Sequence, residues 1–112
     1  MAHLSTHVLD TASGLPAAGI VVEVHAWRNG ERQPVTTLTT GLDGRAGGPQ
    51  LEAGVYELTF HAGDYFRVAG LNLPEPLFLD EVVVRFGIAD AAGRYHVPLL
   101  LAPYSYSTYR GS

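Results

Sequence analysis

What most constrains this chain is how often Gly and Pro interrupt it. Turn signals recur roughly every 8–12 residues, and the segments between them alternate apolar and polar side chains. Such short segments leave no room for long helices, and a period of two fits strands with one buried face. Ser5 to Leu9 reads as a first strand, closed by the turn Thr11-Ala12-Ser13-Gly14-Leu15-Pro16. Ile20 to Trp27 sets Val22, Val24 and Ala26 against Val21, Glu23, His25 and Trp27. Asn29-Gly30 is a hairpin signal, and Pro34 to Thr40 follows as a strand. Gly41-Leu42-Asp43-Gly44 turns the chain, and Gly47-Gly48-Pro49 reads as more irregular structure. Val55 to His61 places Tyr56, Leu58 and Phe60 on one face, with Glu57, Thr59 and His61 on the other. Asp64 to Leu71 is the one candidate helix, and Leu73-Pro74-Glu75-Pro76 after it reads as loop. Glu81 to Ile88, Arg94 to Leu101 and Tyr104 to Tyr109 complete the series. The pattern is that of an all-β two-sheet sandwich, with about eight strands and one short helix. Residues 1–112 fit a single domain.

Composition removes whole classes of chemistry. The chain has no cysteine, so disulfides, thiolate metal sites and cysteine nucleophiles are excluded. Its seven basic residues are all arginines, which excludes lysine general bases and Schiff-base chemistry. They are spread out, and the net charge is -4, so no nucleic-acid partner is expected. No apolar run approaches the ~20 residues needed to span a bilayer, and Met1 to His7 lacks the features of a signal peptide. A cytoplasmic location is the expectation, with no membrane association.

A few residues stand out as carriers of chemistry. Of the five histidines, His25 and His61 read as polar-face surface residues. His3 belongs to a terminal segment, where disorder concentrates. His7 and His96 differ, because each lies on an apolar strand, and Pro98 follows His96-Val97. On residues alone, each is a structural, ligating or catalytic histidine. Neither falls in a spaced metal-binding motif, so no metal is expected. Arg45 sits between Asp43-Gly44 and Ala46-Gly47-Gly48, where small residues leave its guanidinium unobstructed. Its planar fork suits an oxygen-rich ligand. Tyr104-Ser105-Tyr106-Ser107-Thr108-Tyr109 alternates aromatic and small polar groups before Arg110-Gly111-Ser112. That segment reads either as a frayed tail or as an edge strand that pairs with another subunit.

Taken in order, these segments resemble the 5-hydroxyisourate hydrolases, the transthyretin-related enzymes of urate breakdown. The resemblance runs through Leu4-Ser5-Thr6-His7-Val8-Leu9-Asp10, Thr40-Gly41-Leu42-Asp43-Gly44-Arg45 and Gly63-Asp64-Tyr65-Phe66. It continues through Tyr95-His96-Val97-Pro98 and ends at Tyr109-Arg110-Gly111-Ser112, the most specific motif. Leu77-Phe78-Leu79-Asp80-Glu81 departs from the family's more aromatic segment there. The resemblance implies a transthyretin-like (prealbumin-like) sandwich that assembles as a homotetramer, a dimer of dimers with a central channel. It implies cofactor-free hydrolysis of 5-hydroxyisourate, a purine-derived small molecule, to 2-oxo-4-hydroxy-4-carboxy-5-ureidoimidazoline. His7, Arg45, His96 and Ser112 would be the catalytic residues, with Tyr109, Arg110 and Arg45 binding substrate. Two other readings compete: a small-ligand carrier of the same fold without turnover, and a monomeric adhesive sandwich domain.

Overall fold

In the computed structural model, which describes residues 1–112, the alternating segments become two stacked sheets. Nine strands and one helix follow in order: β1 (Ala2–Asp10), β2 (Leu15–Pro16), β3 (Val21–Arg28), β4 (Glu31–Thr39), β5 (Arg45–Leu51), β6 (Gly54–His61), α1 (Ala62–Val68), β7 (Glu81–Ile88), β8 (Arg94–Ala102) and β9 (Ser105–Thr108). One sheet runs β2-β1-β8-β9, with β5 also paired to β1; the other runs β4-β3-β6-β7. Every pairing is antiparallel except the long parallel ladder between β1 and β8. No helix is long and apolar enough to cross a membrane.

The core lies between the sheets and is filled by one face of each strand. Leu4 and Val8 of β1 and Val97, Leu99 and Leu101 of β8 meet Val22, Val24, Leu58, Phe60 and Val82. Each such side chain contributes about 1.5–3 kcal/mol relative to exposure. Thr6 also points inward, and its hydroxyl donates to the Val97 carbonyl at 2.6 Å. The expected inward faces of β3, β6 and β7 are therefore found. Glu57, on the outer face of β6, is nonetheless covered, because Arg32 and Arg85 close over its carboxylate at 3.1 Å each.

The Gly47-Gly48-Pro49 stretch departs from expectation: it is not irregular but the middle of β5. Ser5 pairs with Gly47 and His3 with Gln50, so Gly48 and Pro49 together oppose Leu4 as a bulge. A Cβ at residue 48 would come within 3.0 Å of the Leu4 side chain, so glycine lets β5 lie close to β1. An edge strand tolerates the missing donor of Pro49. Leu15-Pro16, expected as turn, forms the short strand β2 paired with β1, and other differences are at ends: β1 starts at Ala2 rather than Ser5, β4 at Glu31 rather than Pro34, and the helix spans 62–68 rather than 64–71.

One carboxylate ties the two layers together. Asp10, at the end of β1, accepts backbone N–H groups of Ala12 and Ser13 and the Tyr65 hydroxyl, the last at 2.7 Å. Burial alone raises the Asp10 pKa, but bonds from Tyr65, Ser13 and Ala12 outweigh it and hold the carboxyl below its usual 3.8. Burial and then Asp10 push the Tyr65 phenol up to about 12. Tyr65→Phe is expected to cost about 1.5–3 kcal/mol at neutral pH, the range for a hydrogen bond to a charged group. Because the folded-state pKa of Asp10 is depressed, this stabilisation is complete above the unfolded value and lost as pH falls through the folded one. Urea unfolding of both proteins across pH checks this. The gap should narrow below pH ~4, and a gap of equal size at all pH values would contradict the assignment.

Candidate active site

The face of β1 that turns away from the core carries His3, Ser5 and His7. The parallel register sets His3 beside Arg94, Ser5 beside His96, and His7 beside Pro98 of β8. On the other edge, β5 sets Arg45 beside His7 and Gly47 beside Ser5. Three rows thus cross the sheet, spaced by about 6.4–6.8 Å, two residues of strand. The first two rows, with Arg45 from the third, border a cavity of about 380 Å³. His3, Ser5, Arg45, Arg94, His96 and Ser112 line it, and Ala46 is the only apolar side chain among its walls. A hollow of about 410 Å³ beside the β3–β4 turn has Arg28 and Glu52 but no histidine.

Local sequence explains how Arg45 arrives there. The Asp43 carboxylate accepts the Arg45 backbone N–H at 3.0 Å, and Gly44 has φ of +76°. A Cβ at residue 44 would lie 2.5 Å from the Val8 carbonyl oxygen, so only glycine lets this turn rest on β1. The Val8 N–H donates to the Gly44 carbonyl at 2.8 Å and fixes the approach. The Arg45 guanidinium is exposed, with only a loose 3.9 Å contact to Asp43. It remains free for a ligand.

His96 is the most constrained of these side chains. Its Nδ1 lies 2.9 Å from the Ser5 hydroxyl, and its carbonyl accepts the Gly111 N–H at 2.8 Å. Burial first, then the positive charges of Arg45 and His7, hold its pKa below the ordinary 6.5. A neutral imidazole at neutral pH can accept a proton. No group of three or more His, Asp or Glu side chains is arranged to hold a metal ion.

The residues singled out in the sequence do not all converge. Arg45, His96 and Ser112 share the cavity, and His7 sits beside Arg45 just outside its walls. Tyr109 and Arg110 line a separate groove of about 330 Å³ between β7 and the C-terminal segment. There the Arg110 guanidinium stacks 4.1 Å from the Tyr95 ring centroid and donates to the Arg94 carbonyl at 3.1 Å. Sequence reasoning missed Ser5, His3 and Arg94. His3 is not frayed but hydrogen-bonded in β1, its N–H donating to the Gly93 carbonyl at 3.2 Å. The period-two run His3, Ser5, His7 was the available signal.

Comparison with known proteins agrees with this architecture. The model of the HIUase/Transthyretin family matches residues 4–111. The 5-hydroxyisourate hydrolase of Ralstonia nicotianae is 54% identical, and the alignment covers all of both chains. The 5-hydroxyisourate hydrolase 2 of Rhizobium meliloti is 56% identical over 97% of this chain and 95% of its own. Among solved structures, Klebsiella pneumoniae 5-hydroxyisourate hydrolase superposes with a TM-score of 0.82 at 36% identity, covering 100% of each chain. An (S)-allantoin synthase superposes with a TM-score of 0.91 at 39% identity, over 99% of this chain and 44% of the synthase.

The electrostatic environment of His96 can be tested directly. In Arg45→Ala the larger of the two charge contributions is removed, so the His96 pKa is expected to rise towards 6.5. An NMR titration of the imidazole signals measures it, and an unchanged or lowered value would count against the Arg45–His96 coupling.

Proposed function

The chain belongs to the HIUase/Transthyretin family, and from that membership we propose that it hydrolyses 5-hydroxyisourate. The observation that carries this reading is the meeting of Arg45, His96 and Ser112 in one polar cavity, from three distant segments. A carrier of aromatic ligands would be served by an apolar pocket. Here nearly every wall is polar or cationic, which favours turnover of an oxygen-rich ring.

The reaction opens a ring by adding water across a carbonyl carbon–nitrogen bond. Water is a weak nucleophile, so a base must take its proton as the oxygen attacks. His96 is assigned that role because its depressed pKa keeps it unprotonated at neutral pH. The tetrahedral intermediate carries negative charge on the former carbonyl oxygen, and the Arg45 guanidinium supplies the compensating charge. The proton held on an imidazole then passes to the leaving nitrogen as the ring bond breaks, from His96 itself or from His7 beside Arg45. Ser112 orients the ring, so that attack begins from a bound geometry rather than a chance encounter. Tyr109 and Arg110, in the neighbouring groove, complete substrate binding in this proposal. No electrons move, so no cofactor is required.

The assembly proposed with this activity is a homotetramer built as a dimer of dimers. Support comes from the outer strands β7 and β9, which leave edges open, and from the exposed side chains Val83, Tyr106 and Tyr109 near them.

A spectrophotometric time course of 5-hydroxyisourate decay, with substrate made in place from urate and urate oxidase, tests the reading. Decay well above the spontaneous rate is expected. Arg45→Ala should lower kcat/KM by about 10²–10³, the cost of removing an oxyanion partner. A folded protein that leaves the decay unchanged, or an Arg45→Ala variant at full activity, would refute it. The pH profile follows from the sign of the His96 shift. The base form is lost as pH falls through the depressed pKa, so the acid limb of kcat/KM should be centred below pH 6.5. An acid limb centred above 6.5 would exclude His96 as the base.

A further inference from the structure

We propose that Ser5 is a positioning residue that fixes the tautomer of His96, accepting a hydrogen bond from Nδ1–H so that bare Nε2 faces the cavity. The inference deepens the hydrolase reading and rests on it for its kinetic consequence, but the geometry stands alone.

The imidazole of His96 is held on two edges. On one, register pairs Ser5 with His96, and the serine Oγ lies 2.9 Å from Nδ1. On the other, Gly111 packs against the ring so closely that a Cβ there would sit 2.5 Å from Cδ2. The Gly111 N–H is anchored to the carbonyl of His96 itself, so the covering segment moves with the residue it covers. With Nδ1 engaged and Cδ2 covered, the Cε1–Nε2 edge is what the ring presents to the cavity.

A serine hydroxyl both donates and accepts, so the contact distance does not choose the tautomer. The surroundings do. The cavity walls include the cations Arg45 and Arg94, and both are donors only. A lone pair on Nε2 faces that positive field favourably, whereas an Nε2–H dipole would oppose it. The proton therefore belongs on Nδ1, where Ser5 Oγ accepts it, and the serine's own proton is left for water in the cavity. Were Ser5 absent, Nδ1–H would lose its partner beside a half-buried ring. Part of the population would then turn to the tautomer that cannot take a proton from water at Nε2.

The test begins with the unaltered protein. Long-range proton–nitrogen NMR correlations of the ¹⁵N-labelled chain report which ring nitrogen of His96 carries hydrogen. At neutral pH Nδ1 is expected to show the protonated shift and Nε2 the bare one; the reverse assignment would overturn the proposal without any variant. Ser5→Ala should then shift the His96 signals towards mixed tautomers. It should also lower kcat by about 10–100-fold with little change in KM, the scale at which partners behind a functional histidine act. Ser5→Thr keeps the hydroxyl and should restore most of the rate. A folded Ser5→Ala protein with unchanged His96 signals, or with unchanged kcat, would overturn the role. If the unaltered protein fails to accelerate 5-hydroxyisourate decay, the hydrolase reading falls, and the tautomer assignment is still decided by the spectra.

Discussion

The parallel ladder between β1 and β8 is the constraint on which everything else depends. It joins segments about as far apart as this chain permits: the Ser5–His96 contact spans 91 positions. One face of the ladder supplies Leu4, Val8, Val97, Leu99 and Leu101 to the core. The other supplies His3, Ser5, His7, Arg94 and His96 to the outer face. Stability and chemistry are thus two sides of one set of hydrogen bonds. A slip of one residue would send every core side chain out and every polar one in, so burial of the inner face holds the site in register.

Much of this was legible in the chain itself, for reasons that can be traced. The alternation in β3, β6 and β7 is strong because Val, Leu, Tyr and Phe fill one face of each, so those inward faces follow from pattern alone. β5 was not legible, since its two glycines and proline erase the alternation, and only pairing with β1 makes it a strand. The parallel β1–β8 contact has no local signature, because nothing in either strand names its partner. Family motifs drew attention to His7, Arg45, His96 and Ser112 together, while spacing alone left the two histidines ambiguous. Arg94 becomes visible only when register lays it beside His3, and Ser5, which the period-two run with His3 and His7 could have flagged, gains its partner only beside His96. His3 was discounted for its place in the chain, but a terminal residue is ordered when a strand holds it. The departing segment at Leu77–Glu81 affects packing at the surface, where Phe78 meets Tyr104 with ring centroids 5.9 Å apart.

The cavity concentrates positive charge on a chain whose net charge is -4. That contrast serves two ends. In the proposed reaction it would draw electron-rich oxygens towards Arg45 and Arg94, and through Arg45 and His7 it adds to burial, the larger cause, in holding the His96 pKa below its ordinary value. Desolvation acts in the same direction, so charge and burial reinforce one another at the one imidazole that both strands and the C-terminal segment hold in place. Outside the cavity, arginines act instead as structural cations: Arg32 and Arg85 close over Glu57, and Arg67 bridges Asp64 and Glu75. The same residue type thus serves both fold and cavity: carboxylates occupy the guanidinium groups of Arg32, Arg67 and Arg85, whereas Arg45 has only its loose contact with Asp43.

The topology also sets an order of assembly during synthesis. β3 and β4 are neighbours in the chain and join through a short hairpin, and β6 reaches β3 soon after. That sheet can gather while later residues are still being added. β1 leaves the ribosome first among the strands, yet its long ladder waits for β8, and closing so large a loop is entropically slow. Until then β1 has only β2 and β5 as ladder partners. The sheet that carries His3, His7 and His96 therefore closes only once the C-terminal part of the chain is present, and the cavity on its outer face closes with it.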